Sequence, residues 1–312
     1  MHKNQKIAVI VPAYNEEKLI LSTLKGIPGY VDRIFVINDA STDTTKDIVL
    51  KQAKADPRIK LIDHEANMGL GQSLIDGYLY SAKSDADISV VMAGDNQMDP
   101  HDLPGLLNAI IDDGNDYVKG NRLLHADINS MPGYRFFGNA ILTILTKFAT
   151  GYYSLMDPQC GYTAIKNSAL KKIPIEKMTK GYGYNADILN MLNIQRFKVT
   201  DIEVRPVYGS EKTKIKLYKY IPTVSLLLIS LFFRRLWKRY IVLDFHPLAL
   251  FYLFSFSILS LIVIPFSVRL VYMFIMTREF PSTTMLILTF STLMAFQSIL
   301  FAIWMDMEYN RK

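Results

Sequence analysis

The stretch Lys6-Ile7-Ala8-Val9-Ile10-Val11-Pro12-Ala13-Tyr14-Asn15-Glu16 decides the fold. Residues 7–11 form an unbroken apolar run rich in β-branched side chains, which suits a strand covered on both faces and therefore central in a sheet. The run meets a proline and passes at once into polar residues, so the strand delivers a polar turn at its carboxyl end. Working outward, apolar runs at residues 33–37, 59–62 and 88–92 read as further strands, and helical patterns at 16–25, 43–54, 70–81 and 102–111 separate and follow them. Strands alternating with helices are the signature of an α/β domain with a parallel sheet. Ser41 and Thr42 stand before the second helix as candidate N-caps.

Beyond Tyr117 the alternation loosens into a helix over 135–149, a loop through Asp157-Pro158-Gln159, a helix near 186–193 and a strand over 197–204. Residues 216–237 combine Lys, Tyr and a long apolar run with Pro222, which predicts one or two helices lying along a membrane interface or packed against the domain. Residues 248–266 carry no charge, and neither do residues 284–304, whose one strongly polar side chain is Gln297. Each run is long enough to cross a hydrocarbon layer of roughly 30 Å as a helix. The chain therefore divides into an α/β domain (1–210), a basic juxtamembrane segment of interfacial helices (211–244) and a C-terminal transmembrane hairpin (245–312).

A net charge of +6 would suit a nucleic-acid partner if it were spread over the domain. It is not: residues 205–239 hold nine Lys or Arg against one Glu, and the residues before them are slightly acidic. The basicity is juxtamembrane, which excludes nucleic acid as the expected partner and fits attraction to anionic headgroups of a bilayer. The positive-inside rule then places the α/β domain in the cytoplasm, and the single cysteine, Cys160, agrees with a reducing compartment.

Four polar clusters fall at the ends of the expected strands: Pro12-Ala13-Tyr14-Asn15-Glu16, Asn38-Asp39-Ala40-Ser41-Thr42-Asp43, Asn67-Met68-Gly69-Leu70-Gly71 and Gly94-Asp95-Asn96-Gln97. One such turn is ordinary, but four at the carboxyl ends of successive parallel strands converge on one rim, where a nucleotide binds. Asp95 and Gln97, on alternate residues past a strand, are hard oxygen ligands able to hold Mg²⁺ or Mn²⁺ against a diphosphate, whose own oxygens complete the shell. Arg122, Arg135, Arg205, Lys212 and Lys214 are cations of the kind that grip a second, acceptor phosphate. The five His residues show no metal-ligand spacing, and His64 and His246 read as structural.

At these motifs the chain resembles the family 2 glycosyltransferases of GT-A fold, a Rossmann-like nucleotide-sugar-binding domain, and among them the dolichyl-phosphate mannose synthases and polyprenyl-phosphate glycosyltransferases. The resemblance runs from about residue 7 to residue 208. It implies that Pro12, Tyr14 and Glu16 hold the base and ribose, with Asp39 and Asp43 in the Asp-rich turn and Asn67 and Gly69 on the same donor rim. It also implies that Gly94-Asp95-Asn96-Gln97-Met98-Asp99-Pro100 is the metal-binding segment. Lys119-Gly120-Asn121-Arg122, Arg135 and Asn139 resemble the acceptor-phosphate contacts, and residues 157–162 the loop beside them. Asp187 aligns with the acid that serves as base in relatives using hydroxyl acceptors; a phosphate acceptor, ionised at neutral pH, scarcely needs one. Ala93 stands where the family usually has a further Asp, and Asn38-Asp39 where it usually has two. The activity implied is inverting transfer from a nucleotide-sugar to a polyprenyl or dolichyl phosphate at the cytoplasmic membrane face, with Asp95, Arg122, Arg135 and Asp187 as the catalytic set. The alternatives are transfer to a hydroxyl acceptor, in glycolipid or polysaccharide synthesis, and a catalytically weak membrane-anchored interaction protein that keeps the fold.

Overall fold

The computed structural model describes residues 1–123, 133–207 and 217–311, with the side chains of residues 133–140 and 217–220 outside that description. Its contacts divide the chain into two compact units, Met1–Phe232 and Phe233–Lys312.

In the first unit, β1 (Ile7–Ala13), β2 (Arg33–Asn38), β3 (Ile59–Asp63), β4 (Ile88–Val91), β5 (Tyr117–Asn121), β6 (Thr163–Lys166) and β7 (Val199–Glu203) form one sheet in the order β3-β2-β1-β4-β6-β5-β7. β1 pairs in parallel with β2 and β4, and β2 with β3, as the apolar runs predict. Every residue of β1 is buried, and the strand's two-residue period divides its side chains: Ile7, Val9 and Val11 enter one apolar cluster, Ala8 and Ile10 the other. The first cluster is closed by α1 (Ile20–Gly26), α2 (Thr45–Ala55) and α4 (Leu103–Ile111); the second by α3 (Leu70–Lys83), the short α6 (Asn167–Leu170) and α7 (Tyr184–Ile194), on which α5 (Gly133–Thr150) packs. This is the mixed α/β sheet of the GT-A fold.

Two strands depart from the sequence reading. β6 runs antiparallel between β4 and β5, and β5 itself carries Lys, Gly and Asn at positions that are fully buried. Hydrophobic periodicity misses a strand whose interior is polar, and it misses β6, of whose four residues only Ala164 and Ile165 are apolar. α2 differs in its start: Thr44 precedes it with no side-chain cap, while Asp43 Oδ1 accepts from the Thr45 N–H at 3.0 Å, so Asp43 rather than Ser41 or Thr42 closes the helix end.

Residues 217–237 form a single helix, α8 (Leu217–Trp237), with Pro222 near its start. Within the first unit, its Val224, Leu228 and Leu231 pack on Ala149 of α5 and Ala186 of α7, and Asn190 Nδ2 donates to the carbonyls of Ala149 and Leu231 at 2.9 and 2.8 Å. Ile221, Leu226 and Ile229 of α8 are exposed, as are Ile141, Ile144 and Leu145 of α5.

In the second unit, α9 (Pro247–Ile258) passes through a π-helical turn at Leu259–Val263 into α10 (Ile264–Thr277), a helical segment of 31 residues, and α11 (Ser282–Tyr309) returns over 28. Both are long and apolar enough to cross a membrane, and their large apolar side chains, such as Leu261, Val268 and Phe290, face outward. Ser255 Oγ donates to the Ala295 carbonyl at 2.8 Å between α9 and α11. A buried fork from Arg235 to Asp306, at 2.7 and 2.6 Å and joined by the Tyr240 hydroxyl at 2.7 Å, fastens the residues before α9 to the end of α11.

Candidate active site

The rim at the carboxyl edge is assembled by backbone hydrogen bonds that extend the ladder one step past the strands. The Asp39 N–H donates to Ala13 O, the Gly94 N–H to Pro12 O and the His64 N–H to Asn38 O, at 2.9, 3.0 and 2.9 Å. The four polar clusters therefore lie side by side. Asn15, Ala40 and Asn96, just past β1, β2 and β4, all have positive φ near 55°, a conformation that costs a non-glycine residue about 1–3 kcal/mol and gathers at functional sites.

Short side chains then tie loop to loop. Asn15 Oδ1 accepts from the Thr42 N–H at 2.8 Å, the Asn15 N–H donates to Ser41 Oγ at 3.0 Å, and the Glu16 N–H donates to Thr45 Oγ1 at 2.8 Å. Asp43 receives the N–H groups of Thr45 and Glu17. Partial burial pushes the Asp43 carboxyl up, but these hydrogen bonds outweigh it and hold the group below the ordinary carboxylate range. Asp39 is buried, with Oδ1 taking the Met68 N–H and Oδ2 the Gly69 N–H, each at 2.8 Å. Pro12 is buried, whereas Tyr14 and Asn67 are exposed on the rim. Gly69, with φ +86°, and Gly71 bring the turn before α3 against the Thr179 and Lys180 carbonyls, where a Cβ on Gly71 would lie 2.4 Å from both oxygens.

The segment after β4 is half-buried, and Asp95 Oδ1 accepts from the Gln97 N–H at 3.1 Å. Among the described residues no three His, Cys, Asp or Glu side chains form a self-sufficient metal site. One carboxylate and one amide oxygen suit Mg²⁺ or Mn²⁺ when phosphate oxygens supply the remaining ligands, so the donor set fits a cation carried with a diphosphate. Arg205 comes to this segment: its NH1 lies 3.7 Å from Asp99 Oδ2, and its N–H donates to Asp102.

Arg122 follows β5. Its Nε and NH2 donate to Asp157 Oδ2 and Oδ1 at 2.8 and 3.2 Å, with the carboxylate buried and a third of the arginine side chain exposed. The loop of residues 157–162 is pinned from several sides: the Gly120 N–H donates to Tyr162 O, Asn185 Nδ2 to Gln159 O, and the Tyr162 hydroxyl to Asp99 O at 3.2 Å. Arg135 and Asn139 fall on the first two turns of α5, with side chains outside the description, and Lys212 and Lys214 lie outside the described residues altogether.

Two sequence readings change in the structure. Lys119 is fully buried, so it is not an acceptor contact; its ammonium donates to Cys160 O at 2.6 Å and Asn185 Oδ1 at 3.1 Å, and burial depresses its pKa to about 8. Asp187 is buried in the first turn of α7, where Oδ2 accepts from the Thr179 N–H and hydroxyl at 2.8 and 2.7 Å, bracing the turn on which Gly71 rests. The sequence reads His64 as structural but does not show its partners, Asp39 and Asp76, between which it sits. The only hint was its place three residues before Asn67 in the third cluster.

The sequence pattern described as Glycosyl transferase family 2 matches residues 8–174, more than half of the chain. The chain belongs to that family. This family 2 glycosyltransferase is 29% identical over 216 residues to the UDP-N-acetylglucosamine–dolichyl-phosphate N-acetylglucosaminyltransferase of Methanococcus voltae, covering 65% of this chain and 86% of the relative. It is 28% identical over 193 residues to the undecaprenyl-phosphate mannosyltransferase of Micrococcus luteus, covering 59% and 76%. Among solved structures, the glucosyl-3-phosphoglycerate synthase of Mycobacterium tuberculosis, crystallised with Mn²⁺, UDP and glucosyl-3-phosphoglycerate, shares the fold at a TM-score of 0.56 and 19% identity, covering 74% of this chain and 80% of that one.

Proposed function

We propose that this family 2 glycosyltransferase moves a sugar from a nucleotide-sugar, GDP-mannose or a UDP-hexose, onto the phosphate of a polyprenyl or dolichyl lipid at the cytoplasmic face of a membrane. The observation that carries the choice of acceptor is the engagement of Asp187. A hydroxyl nucleophile needs a base within reach of its proton. The acid aligned with that role is instead buried and holds the Thr179 turn. A phosphate nucleophile is already ionised near neutral pH and needs orientation rather than deprotonation. Arg122, braced on Asp157, offers that orientation, and Arg135 and Asn139 on α5 complete the acceptor contacts with Arg205, Lys212 and Lys214 around them.

In this reading the lipid phosphate oxygen attacks the anomeric carbon from the face opposite the diphosphate. The new C–O bond forms as the bond to the diphosphate breaks, with inversion, and the nucleoside diphosphate leaves. Pro12, Tyr14, Glu16, Asp39, Asp43, Asn67 and Gly69 form the donor rim. Asp95 and Gln97 would hold a divalent cation, whose positive charge would stabilise the leaving diphosphate. The arginine fork fixes the attacking oxygen and screens the repulsion between two anions. The dolichyl- and undecaprenyl-phosphate specificities in the names of the relatives support this acceptor class. The exposed apolar side chains of α5 and α8, the basic segment before α9 and the two long apolar helices support a bilayer as partner. Residues 1–210, 211–244 and 245–312 then act as catalytic domain, interfacial segment and anchor.

Purified full-length protein incubated with a panel of nucleotide-sugars, Mg²⁺ or Mn²⁺ and a short polyprenyl phosphate is expected to release a polyprenyl-phosphate sugar detectable by mass. Transfer only to hydroxyl-bearing lipids or glycans would replace this reading with the hydroxyl-acceptor one.

A further inference from the structure

His64 follows β3, and its ring is buried between two carboxylates. Nδ1 lies 2.8 Å from Asp39 Oδ1, and Nε2 lies 3.1 Å from Asp76 Oδ2 on α3. An ionised carboxylate only accepts hydrogen bonds, and a neutral imidazole has one N–H and one bare lone pair. Both contacts are hydrogen bonds together when His64 carries both protons. Three carboxylates stand around the ring: Asp39 just past β2, Asp76 on α3, and Asp63 at the end of β3, which is itself paired with Lys46 of α2 at 2.7 Å. Gln72 Nε2 donates to the same Asp76 oxygen at 3.0 Å and holds that carboxylate toward the ring.

The other end of this bridge is the donor rim. Asp39 receives His64 Nδ1 and the Met68 N–H on Oδ1 and the Gly69 N–H on Oδ2. A carboxylate has about four acceptor positions, so one remains, on Oδ2. We propose that His64 is a positioning residue for donor binding, tying the Asp39 carboxylate to α3 through Asp76 so that its remaining Oδ2 position meets a ring N–H of the base, as in uracil or guanine. Without the ring, Asp39 keeps only its two backbone donors, and the tie between the end of β2 and α3 is lost. The proposal rests on the reading of Asp39 as a donor-site residue.

The test uses full-length protein in nanodiscs, with UDP and GDP as calorimetric probes, alongside donor and acceptor kinetics. His64→Gln should bind its nucleotide about ten-fold more weakly than wild type, the scale of one charge-assisted hydrogen bond. The kcat at saturating donor and the KM for acceptor should stay near wild type, a split that general damage to the fold would not give. Asp76→Ala keeps the Asp39 contact but cuts the tie of the ring to α3, so nucleotide affinity should fall by a smaller factor. Wild-type affinity in His64→Gln, or a loss confined to kcat or acceptor KM, overturns the proposal. Should that variant fail to fold, wild-type affinity in Asp76→Ala overturns it instead. If Asp39→Asn binds nucleotide normally, the donor-site reading of Asp39 falls and takes the proposal with it. If Asp39→Asn is defective while His64→Gln is normal, the proposal alone falls.

Discussion

The donor rim and the acceptor side of this site are fastened by different chemistry. Around β1, β2 and β4, carboxylates and amides no more than a few residues past each strand accept backbone N–H groups of the neighbouring loop, as Asp43, Asp39 and Asn15 do. Around β5, the fasteners are charges from segments far apart in sequence: Arg122 on Asp157, and Lys119 on the Cys160 carbonyl and Asn185. A rim built on the backbone tolerates changes of side chain that keep an acceptor in place. A side built on buried charge does not, because removing one partner leaves the other desolvated and unmatched.

The largest effect should fall where the donor rim does chemistry rather than holding loops. Asp95→Ala removes the carboxylate at the centre of the metal segment, and turnover should fall on the order of 10²–10³-fold with loss of metal stimulation. Rates measured across a Mg²⁺ and Mn²⁺ titration check this; a variant still stimulated by metal at near-normal turnover would remove Asp95 from the cation site.

The same division explains what could be read from the sequence. The runs ending in Ala13, Asn38, Asp63 and Val91 are apolar strands with polar turns attached, so the first four strands and their rim were legible from periodicity and turn residues. β5 was not, because its buried Lys119, Gly120 and Asn121 obey no hydrophobic pattern, and their partners in loop 157–162, α7 and β7 are 41 or more residues away. The engagement of Asp187 with Thr179 and of His64 with two carboxylates depends on tertiary neighbours, which no local pattern encodes. Asn38 shows the converse. Its departure from the usual acidic pair has a partner that only the structure reveals, since Asn38 Nδ2 donates to Asp63 Oδ1 at 2.7 Å.

The acceptor side is challenged next. Arg122→Ala should leave nucleotide affinity nearly intact and weaken acceptor use about ten- to a hundred-fold, the worth of a partly desolvated contact to phosphate. Asp187→Asn keeps an acceptor oxygen for Thr179 and takes away only charge, so its kinetics should change little. A severe loss in Asp187→Asn beside normal acceptor kinetics in Arg122→Ala would restore a base and favour the hydroxyl acceptor.

A smaller effect is expected from giving the donor rim the acceptor side's kind of problem. Asn38→Asp replaces a buried amide donor by a carboxylate facing Asp63, and it should destabilise the fold by about 2 kcal/mol at neutral pH. Repulsion raises the pKa of one of the two carboxyls in the folded state. The cost is therefore full above that raised value and eases as pH falls through it, because the protonated group again supplies a donor. Melting temperatures of variant and wild type should lie closer together at pH 5 than at pH 8.

The smallest effect tests the buried charge itself. Lys119 titrates near 8 in the folded protein against an ordinary 10.5, with burial as the leading cause. Below about pH 8 both folded and unfolded chains carry its proton, and the folded state bears the whole cost of a desolvated ammonium. Between the two values the unfolded chain binds a proton that the folded chain has released, so this residue makes stability rise with pH, by at most about 1.4 kcal/mol per unit. The hydrogen bonds survive the change, because a neutral amine still has two N–H groups for the Cys160 carbonyl and Asn185. Lys119→Met abolishes the titration without adding charge. Chemical denaturation at pH 7, 8 and 9 should show wild type gaining stability relative to that variant as pH rises; parallel pH profiles would mean that the ammonium finds more solvation under the acceptor loop than its burial implies.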